Sequence, residues 1–116
     1  MNCHYGALFT DNQFHNAGFS GNDAGRYKVS HKGGDVGKFK TPSLRDVMKT
    51  GPWMHDGAQA DMGKIIESFD KGAMSFNTDK LIRPLGLSRK EKEDLLAFMN
   101  AISAPPVEFI KPVIPD

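Results

Sequence analysis

Cys3 stands directly before His4, and a cysteine followed at once by a histidine is how a covalent c-type haem site ends. In such a site the cysteine sulfur adds to a haem vinyl group as a thioether, and the next imidazole takes the iron. Only Met1 and Asn2 precede the pair, so a cysteine immediately upstream would complete Cys-Met-Asn-Cys-His. The chain therefore reads as one that begins inside its own cofactor site. Taken alone the pair is weak evidence, because a free thiol is the commoner fate of a single cysteine. A second chemical pairing lies at His55-Asp56, which could serve as a general acid and base or as a structural hydrogen-bonding unit. Trp53 beside them is either an electron path or core, and core is the better reading.

Composition narrows the classes. A chain of 116 residues makes one domain with a modest core. Its 15 basic and 14 acidic side chains give no electrostatic case for nucleic acid or an anionic membrane. One cysteine excludes an intrachain disulfide framework and a thiolate zinc cluster. No apolar run approaches the roughly 20 residues that span a bilayer, and no leader precedes the Cys-His pair.

The elements that must position these residues are mostly helical. Residues 5–38 are glycine-rich and aperiodic, which predicts irregular loop, with His15 and His31 facing solvent. Thr41-Pro42 reads as N-cap and first helical position, with Leu44, Val47 and Met48 on one face and Gly51-Pro52 ending the helix. Asp61 opens a second helix whose Met62, Ile65, Ile66 and Phe69 form an i, i+3, i+4, i+7 stripe, and Gly72 closes it. Residues 83–86 suggest a turn. Ser88 and Glu91 have the spacing of a capping box, followed by an apolar face of Leu95, Phe98, Met99 and Ile102. Pro105-Pro106 stops that helix, and residues 105–116 read as an extended tail. No strand pattern is apparent. Long loops between few helices fill a core poorly, and a haem would supply apolar bulk.

Three stretches, CHYGALFTDNQFHNAG, FKTPSLRDVMKTGPWMHDGA and LGLSRKEKEDLLAFMNAIS, resemble in order the C-terminal haem domain of the bacterial di-haem cytochrome c peroxidase and MauG family. The resemblance covers Cys3 to about Pro115. It implies an all-α, class I cytochrome c-like haem domain, here lacking its N-terminal helix and forming one partial domain over residues 1–116. It implies covalent haem c, with Cys3 as thioether and His4 as proximal iron ligand. Arg45 would face a haem propionate, or else be a solvated charge. Met54 and His55 would belong to the haem pocket, and Gly57 to a turn with positive φ. A calcium would take the backbone carbonyls of Thr50 and Pro52, two of the six or more oxygens it needs. The family draws its distal residue, Met or Tyr, from a position fourteen residues beyond His55. That position is Phe69, which has no donor atom, so either the iron is open or water-bound or another Met such as Met74 captures it.

The function the resemblance implies is that of the electron-transferring haem domain of a periplasmic, peroxidase-like oxidoreductase. Its partners would be a peroxidatic haem domain of the same enzyme and a small redox protein as donor, with homodimerisation left open. The alternatives are a mono-haem electron carrier without enzymatic activity and an inert fragment.

Overall fold

The computed structural model describes residues 2–72, 75, 77–105 and 111–112. In chain order these form strand β1 (Phe14–His15), a one-turn helix α1 (Tyr27–Ser30), a 3-10 turn (Gly33–Asp35) and strand β2 (Phe39–Lys40). A second 3-10 turn (Val47–Lys49) and the longer helices α2 (Met62–Asp70) and α3 (Arg89–Ala101) complete them. The expectation of an all-α, class I cytochrome c-like domain is therefore corrected: short helices and a two-stranded antiparallel sheet make a small mixed fold. Phe14 pairs with Lys40 and His15 with Phe39. Strands of two residues cannot display the alternation over four to eight residues by which a strand is recognised. Tertiary bonds hold them instead, with the Thr41 N–H donating to Gln13 O at 2.9 Å and the Thr10 hydroxyl to Thr41 O at 2.7 Å.

The helix expected after Thr41-Pro42 is also corrected, since only the Val47–Lys49 turn forms there. Asp46 takes a left-handed conformation at φ 57°, and the Ser43 hydroxyl accepts from the Arg45 N–H at 3.1 Å while donating to Leu8 O at 2.7 Å. Such local side-chain bonds offer the backbone an alternative to the helical ladder. No turn forms at residues 83–86 either. That segment is strapped to the end of α2, where Leu85 N–H donates to Asp70 O at 3.0 Å and Leu87 N–H to Asp70 Oδ1 at 2.8 Å.

The two later helices follow their sequence signals. Asp61 caps α2 by accepting from Lys64 N–H at 3.2 Å. Gly72 ends it at φ +86°, where a Cβ would meet Pro84 Cδ at 2.7 Å, so the position requires glycine. At α3 both arms of the capping box are made, Ser88 Oγ accepting from Glu91 N–H and Glu91 Oε2 from Ser88 N–H. α3 ends at Ala101, ahead of Pro105; residues 106–110 and 113–116 of the expected tail lie outside the described residues.

Leu44, Val47, Met62 and Ile66 are the buried apolar core. Phe9, Trp53, Ile65, Leu95, Met99 and Ile102 are half-buried around it, so α3 lies over the core without sinking a residue into it. Lys92 clamps the helices together, its Nζ 2.7 Å from Asp70 Oδ2 and 3.1 Å from Glu67 Oε2. No described side chain is fully buried. No described helix is long and apolar enough to cross a membrane.

Candidate functional site

Residues 3–11 wind into a tight turn that presents main-chain oxygen to His4. Phe9 N–H donates to Gly6 O at 3.1 Å and Thr10 N–H to Tyr5 O at 3.1 Å, with Gly6 and Phe9 both at positive φ. This turns the Phe9 carbonyl toward His4, whose Nδ1 lies 2.8 Å away. A carbonyl only accepts, so Nδ1 carries a proton, and in the neutral ring the lone pair is then on Nε2. Among the described residues Nε2 has no hydrogen-bond partner. Half-buried Cys3 is a free cysteine, and burial, followed by the charges of Asp11 and Asp79, pushes its thiol up.

The 52–57 segment packs on β2. His55 stacks on Phe39 with ring centroids 4.0 Å apart, and its Nε2 lies 3.8 Å from Asp23 Oδ2. Asp56 turns away to accept from Ala58 N–H at 3.0 Å, so the two do not form an acid–base pair. Trp53 packs at the core margin and donates its indole N–H to Val47 O at 2.7 Å. Gly57 has the expected positive φ. Met54, Phe19 and Ile65 line one cleft of about 180 Å³, and Phe69 packs edge-on to Phe19 at 5.1 Å.

Arg45 lies in a turn rather than on a helix. It donates Nε to Ala7 O at 2.9 Å, with its guanidinium 5.1 Å above the Phe9 ring, and so braces the turn that carries His4. Thr50 and Pro52 are both exposed, on either side of Gly51. Met74 lies outside the described residues.

His15 is a correction. Rather than facing solvent, its side chain is 19% exposed and bonded on both sides, with Nε2 2.9 Å from Asp11 Oδ2 and Nδ1 2.8 Å from Asp79 Oδ2. Burial opposes its protonation, but the bonds to Asp79 and Asp11 outweigh burial and raise its pKa. Burial likewise pushes Asp11 up, and is outweighed by bonds from Gln13 N–H, His15 and Thr41 that bring it to about 2. The Asp11–His15 spacing was visible in the sequence. Asp79 was not, because nothing local joins residues so far apart. Cys3, Asp11 and His15 hold donor atoms within 4.8 Å of one another, yet both His15 nitrogens are engaged by carboxylates, which favours a proton over a metal between them. His31, by contrast, is exposed as expected.

No family model matches the chain. Individual proteins do. It is 31% identical over 144 residues to the cytochrome-c peroxidase IdrP2 of Denitromonas iodatirespirans, covering 98% of this chain and 38% of that protein. It is 36% identical over 121 residues to the methylamine utilization protein MauG of Methylorubrum extorquens, covering 97% of this chain and 33% of that one. A crystal structure of a MauG-like protein associated with microbial copper homeostasis superposes with a TM-score of 0.81 at 27% identity, over 89% of this chain and 42% of its own. The chain thus spans about a third of the length of these two curated relatives.

Proposed function

Because this chain belongs to the di-haem cytochrome-c peroxidase and MauG family of oxidoreductases, we propose that it holds one c-type haem through Cys3 and His4 and carries electrons for a larger peroxidase-like enzyme. The observation that carries this reading is the bond from His4 Nδ1 to Phe9 O, which points Nε2 away from that carbonyl as the nitrogen a metal would take. Metal-binding histidines are oriented in this way by a second hydrogen bond. The protein interior fits the same reading: no described side chain is fully buried, and Tyr5 and Leu8, on the turn that carries His4, are exposed. An apolar macrocycle against this turn would cover part of that surface.

Haem bound here supplies reversible one-electron chemistry at its iron. The chain's own residues do the rest. Cys3 would hold the group through a thioether to one of its vinyl carbons. His4 is held in one tautomer by Phe9 O, and Arg45 keeps the turn in place through Ala7 O. Met54, His55 and Phe69 are the candidate pocket wall. Phe69 has no donor atom, so α2 would offer the iron no ligand at that position. Thr50 and Pro52 offer two carbonyls at most, and a calcium there would need its other ligands from water and from outside these residues. Peroxide reduction is assigned to a second haem domain of the same enzyme, fed through this one by a small redox protein in the periplasm.

The test is production of the full-length protein with an export signal and haem-maturation machinery. Covalent haem assigned to this region should survive a denaturing gel, disappear in Cys3→Ala when any upstream cysteine is also replaced, and lose its native ligation spectrum in His4→Ala. Ligation unchanged in His4→Ala refutes the assignment.

A further inference from the structure

We propose that His15 is a positioning residue for the haem-attachment turn: as an imidazolium between Asp11 and Asp79, it ties the segment carrying Cys3 and His4 to residues 79–82. The proposal rests on the haem reading above. Asp11 is the link to the attachment turn, because its N–H donates to Cys3 O at 2.8 Å while its Oδ1 accepts from Gln13 N–H at 2.9 Å. Its carboxylate is only 6% exposed. Asp79 is equally constrained, with its N–H on Asn16 O at 2.8 Å and its Oδ1 accepting from Leu81 N–H at 3.1 Å.

Ionised carboxylates only accept hydrogen bonds, and neutral imidazole has one N–H to give. With His15 neutral, one carboxylate would face a ring lone pair at under 3 Å, which repels. Both bonds coexist only when both ring nitrogens are protonated. The bridge is thus a proton-dependent tie between three segments, since His15 also pairs with Phe39, the ring on which His55 stacks.

Cys3 Sγ approaches from the attachment turn and Lys38 acts on Asp79 from the β2 side, while Lys40 lies opposite Phe14 and is exposed, as is Lys80 beside Asp79. His15 is raised above its ordinary value, so the tie is complete below the usual histidine range and is lost as pH climbs through the raised folded value. On the acid side it is lost as Asp11 and Asp79 take up protons.

The experiment uses the full-length, haem-loaded protein. The midpoint potential of the haem is followed against pH in wild type, His15→Gln, Asp79→Asn and the exposed control His31→Gln, alongside the His15 ring N–H resonances. Wild type and His31→Gln should show two His15 ring N–H signals below the usual histidine range and a break in the potential profile as pH climbs through the raised folded value. His15→Gln should lose the break, while Asp79→Asn should move it to lower pH and lose one of the two signals. If His15→Gln does not load haem, Asp79→Asn decides, because it leaves the Asp11 bond intact. A break unmoved in Asp79→Asn, or a single ring N–H in the loaded wild type, overturns the proposal. The two readings fail separately: both ring N–H signals in a chain that never binds haem refute the haem assignment, whereas attached haem with one signal refutes the bridge.

Discussion

Ile66→Ala tests whether the face of α2 is the core on which the site rests. Ile66 is 7% exposed and belongs to the buried set with Leu44, Val47 and Met62. The substitution removes Cγ1, Cγ2 and Cδ1, at about 0.8 kcal/mol for each buried carbon. A cavity term adds to this wherever neighbours cannot collapse, and Ile→Ala changes in cores cost about 2–5 kcal/mol. Here the neighbours Ile65, Leu95 and Leu96 are themselves half-buried and free to settle, which puts the expectation at the low end, about 2–3 kcal/mol. At roughly 4 °C per kcal/mol for a domain of this size, the melting temperature should fall by about 8–12 °C. Leu95→Ala, on half-buried α3, should cost less than Ile66→Ala, and Val29→Ala, at an 83% exposed position, should stay within about 0.5 kcal/mol. The assay is thermal and urea unfolding followed by helical circular dichroism on the haem-loaded protein. Equal, small losses for Ile66→Ala and Val29→Ala would refute the packing argument.

Ser88→Ala removes the acceptor for Glu91 N–H and should destabilise by about 1 kcal/mol in the same titration, with Ser88→Asp restoring most of it. Gly72→Ala places a Cβ at 2.7 Å from Pro84 Cδ with φ +86°, so it should lose more than about 1 kcal/mol, whereas an alanine at Gly33, which has open space and no positive φ, should be nearly silent. Lys92 holds Asp70 and Glu67 below their ordinary carboxylate range, Asp70 with help from Leu87 N–H. Groups with depressed folded values stabilise above their unfolded values and lose that contribution as pH falls through the folded ones. Stability should therefore decline on the acid side in wild type, and Lys92→Met should make that decline shallower; an unchanged acid limb in unfolding scans from pH 7 downward would show the clamp contributes nothing.

What the sequence determined by itself was whatever is encoded within a few residues. Asp61, Ser88 and Glu91 set the starts of α2 and α3 because a cap needs only a side chain within reach of amides three residues on. The stripe from Met62 to Phe69 set the buried face of α2, because one helical period repeats in that span. The adjacency of Cys3 and His4, with the motifs downstream, was enough for the family. Tertiary structure decided the rest. Thr41-Pro42 carried a sound helix-start signal, but the bonds from the Ser43 hydroxyl to Leu8 O and from Ala104 N–H to Asp46 Oδ1 hold that chain in turns. The sheet of Phe14–His15 with Phe39–Lys40 is too short to leave a period and exists only because distant strands meet. His15 looked like a loop histidine until Asp79 arrived on its far side. Phe9 O, which orients His4, was equally hidden: it is a main-chain atom, aimed by a positive φ that no local signal specifies for phenylalanine.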